Sequence, residues 1–361
     1  ADISLCTKNG NSPLFIACQN GFDNIVQLLL KHGAEVNFLN KTLTSPLYIA
    51  CKHGHNVTVQ SLLENDADIS LCTKTGNSPL FIACQNGFDN IVQLLLIHGA
   101  EVNILNKTLT SPLYKACEHG HNSTVQFLLE NNADISLCTE TGNSPLFIAC
   151  QNGFDNIVQL LLIHGAEVNI LNKTLTSPLH IASESGHVNT VRLLLKNGAK
   201  ASLSTEMGYC PLHAACINGH DGIVELLLEF NADVNCSSEN GDTPLHIACQ
   251  NGYDSIVQVL LTNGAEVELS NKSGSTPSQM AYENGHDTIV LHLLKHEANV
   301  DKCTNAGTCP LFLACQKGYS RITKLLIEND ANVNLCNSEG VSPLYIACQN
   351  GHDKALQILL N

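Results

Sequence analysis

One interval constrains this sequence more than any other feature, because all its prolines are spaced 33 residues apart. They are Pro13, Pro46, Pro79, Pro112, Pro145, Pro178, Pro211, Pro244, Pro277, Pro310 and Pro343. A period between about twenty and fifty residues is typical of proteins built from stacked repeats. Because each repeat contacts only its neighbours, the length of 361 residues reflects the number of repeats rather than the size of one core.

Each 33-residue unit carries the signals of two helices joined by a turn. In residues 7–39, Ser12 precedes Pro13, a pair favoured at the start of a helix. Gly21 ends this first helix, where a positive φ costs little. A second segment, apolar on nearly all sides, follows and ends before Gly33. The pattern predicts helix, turn, helix and long loop.

The same period divides the chain into a single array. We expect residues 1–6 to end a preceding repeat and both chain ends to be cut from a longer array. The first 198 residues are three close copies of one 66-residue pair of units. The predicted repeats are approximately 7–39, 40–72, 73–105, 106–138, 139–171, 172–204, 205–237, 238–270, 271–303, 304–336 and the incomplete 337–361.

The charge of the chain disfavours two classes of partner. Eighteen basic residues stand against 33 acidic ones, and the net charge is −15. Nucleic acids and anionic membrane surfaces both require clustered lysine and arginine, so neither is expected as a partner. No apolar run approaches the roughly eighteen residues of a membrane-spanning helix, so we expect no direct insertion into a membrane.

The 17 cysteines mostly follow the repeat. Equivalent positions in stacked helices lie roughly 8–10 Å apart, whereas a disulfide needs Cα atoms closer than about 7 Å. We therefore expect buried thiols in a reducing, cytoplasmic protein, with a secreted disulfide framework as the alternative. The repeat-phased cysteines are Cys18, Cys51, Cys84, Cys117, Cys150, Cys216, Cys249, Cys315 and Cys348.

The unit resembles the ankyrin repeat over the whole chain. Its Thr-Pro-Leu-His-x-Ala segment is matched best by residues 243–248, and the segments beginning at Pro178 and Pro211 are similar. The resemblance implies an all-α solenoid of helix-turn-helix units. It also implies β-hairpin-like loops that project to one side of a curved stack, roughly 100 Å long at about 10 Å per layer.

Three departures from that family pattern concern stability. Most units replace the family histidine with an aromatic residue, so apolar packing takes the place of its hydrogen bond with threonine. Leu43, Leu109 and Leu175 stand where other units have a turn glycine, and we expect these turns to differ in shape or to be strained. Ser278 replaces a leucine, which predicts a weak interface in the ninth unit.

Histidines and cysteines invite a search for catalytic and metal sites. Most of the 16 histidines recur with the repeat and are too far apart to share a zinc ion, so a structural role is favoured. Cys303, Cys309 and Cys315 form a regular triplet, yet only Cys309, like Cys210, replaces a helix-capping residue. No phosphate-binding loop or hydrolase motif is present. We expect no enzyme activity, cofactor or metal in this segment.

Binding at the surface is the function that this sequence predicts. In the ankyrin family, partners are held by the hairpin tips and the inner ends of the first helices. Aligned positions here are Lys74, Thr75, Asn77, Gln85, Asn86, Lys107, Thr108, Thr110, Glu118, His119, Gln151 and Asn152. The resemblance also implies asparagine hydroxylation at Asn37, Asn103, Asn169, Asn235 and Asn334. We predict a non-catalytic scaffold that binds a protein or peptide on the concave face; the alternative is a mechanical spacer in a larger sensor or channel.

Overall fold

The computed structural model describes residues 2–361, and these residues contain 22 α-helices in eleven helix-turn-helix pairs. No β-strand is found within the described range, so the predicted all-α repeat solenoid is confirmed. The first helices are α1 (Pro13–Asn20), α3 (Pro46–His53), α5 (Pro79–Asn86), α7 (Pro112–Glu118), α9 (Pro145–Asn152), α11 (Pro178–Ser185), α13 (Pro211–Asn218), α15 (Pro244–Asn251), α17 (Pro277–Asn284), α19 (Pro310–Lys317) and α21 (Pro343–Gln349). The second helices are α2 (Asp23–Lys31), α4 (Asn56–Leu63), α6 (Asp89–Ile97), α8 (Asn122–Glu130), α10 (Asp155–Ile163), α12 (Val188–Lys196), α14 (Asp221–Glu229), α16 (Asp254–Thr262), α18 (Asp287–Lys295), α20 (Ser320–Glu328) and α22 (Asp353–Leu360).

Local capping explains why the first helices are so short. In α5, the Ser78 hydroxyl accepts a hydrogen bond from the backbone N–H of Phe81 at 3.0 Å. The helix ends at Gly87, whose φ of +67° is one that other residues rarely adopt. Proline at the first position and glycine after the last therefore limit this helix to eight residues.

The chain forms two compact units, one that extends to Lys173 and one that comprises Thr174–Asn361. Within each unit, every first helix packs on the first helix of the next repeat, and the second helices pack in the same way. The core is formed between these layers. In the third repeat, Leu80 and Cys84 of α5 and Leu95 of α6 are fully buried, as the apolar pattern predicts.

An aromatic ring from each following repeat covers many of the helix-ending glycines. A Cβ atom at Gly21 would lie 2.4 Å from the ring of His55, and one at Gly54 would lie 2.8 Å from Phe88. The His55 ring also bonds through Nε2 to the carbonyl oxygen of Gln19 at 3.1 Å. Equivalent bonds to the preceding repeat are made by His121, His220, His286 and His352. These histidines have the structural role that the sequence predicts.

The ninth repeat replaces one buried side chain with another. Ser278 stands in place of leucine, and Tyr282, one turn later on α17, stands in place of cysteine. Tyr282 is completely buried and Ser278 nearly so. The two hydroxyls interact with each other, but neither makes a well-formed hydrogen bond within the described part of the chain.

Two cysteine predictions need correction. Cys348 is exposed rather than buried, because no described residue packs over that side of α21. Cys303 and Cys309 form a disulfide, which the sequence analysis did not predict. It joins residues of the same loop, whose Cα atoms lie 4.1 Å apart, so the distance between equivalent positions of neighbouring repeats does not restrict it.

Candidate functional site

The candidate site is the surface formed by the loop tips and the C-terminal ends of the first helices, here called the tip surface. Successive loop tips are joined by single backbone hydrogen bonds. The N–H of Lys74 donates to the carbonyl oxygen of Thr42 at 3.1 Å, and that of Lys107 donates to Thr75 at 3.1 Å. These bonds hold neighbouring tips side by side, so equivalent side chains form rows along each unit.

The structure places most predicted partner-binding residues on this surface. Lys74, Thr75, Lys107, Thr108, His119, Gln151 and Asn152 are exposed, and Asn77, Gln85, Asn86 and Glu118 are half-buried. Thr110 is the exception, because it is buried beneath the turn, where its hydroxyl lies 3.1 Å from that of Thr108. Thr110 therefore offers little surface to a partner, and its role as a contact residue stays a prediction.

Several of these amide side chains already bind a neighbouring repeat. The side chain of Asn86 donates to the carbonyl oxygen of Lys52 at 3.0 Å, and that of Asn152 donates to Glu118 at 3.1 Å. The amide oxygen of Asn77 accepts from Asn106 at 3.0 Å. These asparagines stabilise the stack, whereas the exposed side chains of Lys74 and Lys107 are better placed to meet a partner.

Three of the five asparagines proposed for hydroxylation also join repeats. The side-chain oxygen of Asn37 accepts from the backbone N–H of Asp68 at 2.8 Å, and Asn103 accepts from Asp134 at 2.8 Å. Asn235 makes the same bond to Glu266 at 2.9 Å. Each therefore supports the following loop, and their hydroxylation stays a prediction.

A groove in the sixth and seventh repeats interrupts the polar character of the tip surface. Met207 is 58% exposed and Ile217 is 40% exposed, and both line this groove. We call it the Met207 groove. Its lining residues are Thr174, Thr176, His180, Glu184, Thr205, Glu206, Met207, Tyr209, Ala214, Ile217 and Asn218.

Sequence reasoning missed this groove, although the repeat contains a signal for it. Met207 stands at the position of Thr75 and Thr108, and Ile217 stands at the position of Gln85 and Glu118. Each is thus an apolar residue at a place where most repeats carry a polar one. Aligning the seventh repeat with the other ten would have identified both.

His180 forms part of the buried wall of the groove. It is 7% exposed, and its Nδ1 atom has no hydrogen-bond partner among the described residues. Burial disfavours the charged imidazolium and lowers the pKa of His180 to about 4. The ring is therefore neutral at pH 7.

A second cluster lies where α13 begins. The Sγ atoms of Cys210 and Cys236 are 2.7 Å apart, and the Nδ1 atom of His213 lies 3.2 Å from the first and 3.7 Å from the second. Hydrogen bonding from Cys236 lowers the pKa of Cys210, and the same contact raises the pKa of Cys236. The sequence marks Cys210 as an unusual helix cap, but nothing in the sequence places Cys236 beside it.

Two thiols and an imidazole are also the donor set of a soft metal ion. The geometry does not suit one well, however. At the usual Zn–S distance of about 2.3 Å, sulfurs 2.7 Å apart would subtend only about 70° at the metal, far from a tetrahedral angle. In addition, the backbone N–H of Cys210 already lies 3.2 Å from the Nδ1 lone pair of His213.

Together, the paired helices and the tip surface define a repeat protein that presents rows of side chains rather than an enclosed catalytic pocket. The chain belongs to the ankyrin-repeat family. The family described as "Ankyrin repeats (3 copies)" matches residues 1–73, 58–137, 134–205, 200–271 and 278–361. Ankyrin repeats are generally protein–protein interaction modules. Within residues 2–361, every helix falls short of the length and apolarity needed to cross a membrane.

A curated relative supports this assignment over a short stretch. The chain is 48% identical over 40 residues to Ankyrin repeat-containing protein F37A4.4 of Caenorhabditis elegans. The alignment covers 11% of this chain and 3% of that protein. The similarity therefore extends to about one repeat and carries no information on a particular partner.

Proposed function

We propose that this array is a non-catalytic scaffold that binds an extended segment of another protein on its tip surface, with the Met207 groove as the anchoring point. The observation that carries the proposal is the exposure of Met207 and Ile217 at positions where most repeats are polar. Isolated exposed apolar residues are common, but two that line one concavity offer a pocket for a side chain. Methionine adapts its shape to different ligands, which suits such a pocket.

The charge around the groove indicates the chemistry of the partner. The exposed carboxylates of Glu184 and Glu206 line it, and the whole chain carries a net charge of −15. Opposite charges across an interface accelerate association and exclude like-charged competitors. The preferred ligand is therefore a segment with an apolar side chain next to lysine or arginine.

The corresponding positions of the third repeat, which lies in the compact unit that ends at Lys173, extend the proposal. Lys74, Thr75 and Gln85 of the third repeat occupy the places of Glu206, Met207 and Ile217. Their ammonium, hydroxyl and amide groups provide hydrogen bonds without an apolar anchor. Contacts there would select among partners, whereas the Met207 groove would provide most of the binding energy.

A peptide-display selection against the whole chain tests this function. We expect enriched peptides to share an apolar residue beside a basic one. Replacing Met207 with threonine and Ile217 with glutamine restores side chains found at the equivalent positions of other repeats, and should weaken binding by at least about tenfold. Ile97→Gln is the matched control, because Ile97 is 79% exposed at the end of α6, away from the tip surface.

Two results would contradict the scaffold. One is the absence of any saturable ligand, combined with reversible stepwise extension of the chain under force, which would favour a mechanical spacer. The other is a set of binders whose affinity the Met207→Thr, Ile217→Gln double variant leaves unchanged.

A further inference from the structure

We infer that Cys210 and Cys236 form a reversible dithiol–disulfide pair that joins the N-terminus of α13 to the loop that follows α14. Neither the family nor the proposed binding function requires this pair, so the inference is independent of both. Its starting point is the separation of 2.7 Å between the two Sγ atoms, far inside the contact distance of two unbonded sulfurs. A movement of less than 1 Å would bring them to the bond length of about 2.05 Å.

The repeat pattern shows why these two residues meet. Cys210 replaces the serine or threonine that caps the first helix in most repeats, and it is 4% exposed. Cys236 replaces the leucine or isoleucine that most other loops place at this point, and it remains partly exposed. Both substitutions occur in the seventh repeat, so one thiol faces the other.

A second cap cysteine supports this interpretation. Cys309 caps α19 at the position equivalent to Cys210, and it is bonded to Cys303. The partner sulfur lies on a different side of the cap cysteine along the sequence in each case. Cys303 is six residues before Cys309, and Cys236 is 26 residues after Cys210. In this array, then, each cysteine at a first-helix cap has a second sulfur beside it.

His213 is placed to accept a proton. Its Nε2 atom lies 2.9 Å from the carbonyl oxygen of Asp242, which can only accept a hydrogen bond, so Nε2 carries the hydrogen. The lone pair is therefore on Nδ1, which the backbone N–H and the Sγ atom of Cys210 both approach to 3.2 Å. His246 of the next repeat is held in the same way, with Nδ1 2.8 Å from the hydroxyl of its cap Thr243 and Nε2 3.0 Å from the carbonyl oxygen of Ser275, which shows that the fold itself sets this orientation.

The oxidation requires a disulfide from outside, such as glutathione disulfide. After the pair has lost one proton to solvent, the negative charge lies on Cys210 and the remaining proton on Cys236. That proton crosses the short contact to Cys210, and the sulfur of the more accessible Cys236 then attacks the external disulfide and releases one glutathione thiolate. The remaining thiol of Cys210 passes its proton to Nδ1 of His213, and its sulfur attacks Cys236 and expels the second thiolate. The two thiolates take up the two protons. The cysteines lose two electrons and the external disulfide gains them.

Peptide mapping after incubation with glutathione disulfide tests the pair. Cleavage after glutamate places Cys210 in the peptide 207–225 and Cys236 in the peptide 230–239. We expect these peptides to be linked without reductant and separate after reduction. Fragmentation spectra must assign the bond to Cys210 rather than to Cys216, which lies in the same peptide.

The variants restore residues native to the array. Cys210→Thr copies the cap of α15, and Cys236→Leu copies Leu203 and Leu269, so both should fold. Each should abolish the link, whereas Cys216→Ala should keep it. Oxidised wild-type protein should exchange the amides of residues 232–238 at least about tenfold more slowly than oxidised Cys236→Leu protein. Because both proteins are oxidised, both contain the Cys303–Cys309 disulfide, and it does not contribute to the difference.

Three outcomes would overturn the inference. The first is free alkylation of both thiols after equilibration with glutathione disulfide. The second is a link that includes Cys216 in place of Cys210. The third is binding of one Zn²⁺ by the reduced chain that both Cys210→Thr and Cys236→Leu abolish, since the cluster would then be a metal site.

Discussion

Some residues of this array have a backbone conformation or an environment that differs from that of the equivalent residues in other repeats. Leu43, Leu109 and Leu175 have φ values of +58°, +56° and +57°, in the left-handed region. Glycines at the equivalent turn positions have φ near +80°. The predicted strain at these turns is thus located in a backbone angle that brings Cβ close to the following carbonyl oxygen.

Replacing Leu109 with asparagine should therefore stabilise the fourth repeat. Asparagine tolerates the left-handed region, and the leucine side chain is 48% exposed, so little packing is lost. We expect a gain of about 1 kcal/mol in the local free energy of opening, measured by hydrogen exchange of the amides in α7. The opposite change, Gly76→Ala, should destabilise, because its Cβ would lie 2.9 Å from the backbone nitrogen of Lys107. Equal protection in the wild type and Leu109→Asn would contradict this account.

His180 predicts a dependence of stability on pH. Its pKa is about 4 in the folded protein and about 6.5 when unfolded, so unfolding takes up a proton between these values. The stabilisation is complete above pH 6.5 and is lost as the pH falls toward 4, by roughly 3 kcal/mol in total. His180→Phe copies Phe147 of the preceding repeat and should flatten this part of the profile. Urea unfolding midpoints at pH 7 and pH 4.5 measure it; an unchanged difference between the two would exclude His180 as the cause.

Within one element, α17, two substitutions compensate in volume but not in hydrogen bonding. Tyr282 is larger than the cysteine that it replaces, and Ser278 is smaller than the leucine. Their buried hydroxyls interact with each other, yet neither makes a well-formed hydrogen bond in the described structure. A buried polar group without a hydrogen bond costs about 1–3 kcal/mol. The weakness predicted for the ninth repeat therefore comes from buried hydroxyls that lack good hydrogen bonds, and not only from a missing apolar contact.

The double change Ser278→Leu, Tyr282→Cys restores the pattern of the other first helices. We expect it to stabilise the ninth repeat by about 1–3 kcal/mol, since two unpartnered hydroxyls are removed. Each single change should destabilise, because leucine alone meets the tyrosine ring and cysteine alone leaves a cavity. A double-mutant cycle in urea would show coupling of more than about 1 kcal/mol. Additive effects would show that the two side chains do not share one space.

The helices could be predicted because their signals are local. Proline at the first position, a serine or threonine cap and a terminal glycine recur in nearly every unit, as in α5. The burial of Thr110 and the meeting of Cys210 with Cys236 could not, since both depend on the path of a loop in space. Met207 and Ile217 were visible as departures from the repeat, but only to a comparison of equivalent positions.

On the scale of the whole molecule, stability is a sum over repeats and their contacts rather than one cooperative core. Each unit of the chain is a succession of layers in which every pair of helices packs on the next pair. A local defect therefore lowers the stability of its own repeat and of its two neighbours, while distant repeats are unaffected. The ninth repeat contains such a defect within the unit Thr174–Asn361.

Native-state hydrogen exchange should consequently show early opening at residues 271–303. We expect amides in α17 and α18 to exchange roughly tenfold faster than those in α15 and α16, because about 1 kcal/mol or more is lost with the two buried hydroxyls. Since α15 is capped by Thr243 in the same way that α17 is capped by Thr276, capping does not explain the difference. In the Ser278→Leu, Tyr282→Cys variant the contrast should disappear, while α13 and α14 remain unchanged. If residues 271–303 proved to be the best protected part of this unit, the unpartnered hydroxyls would not control its stability.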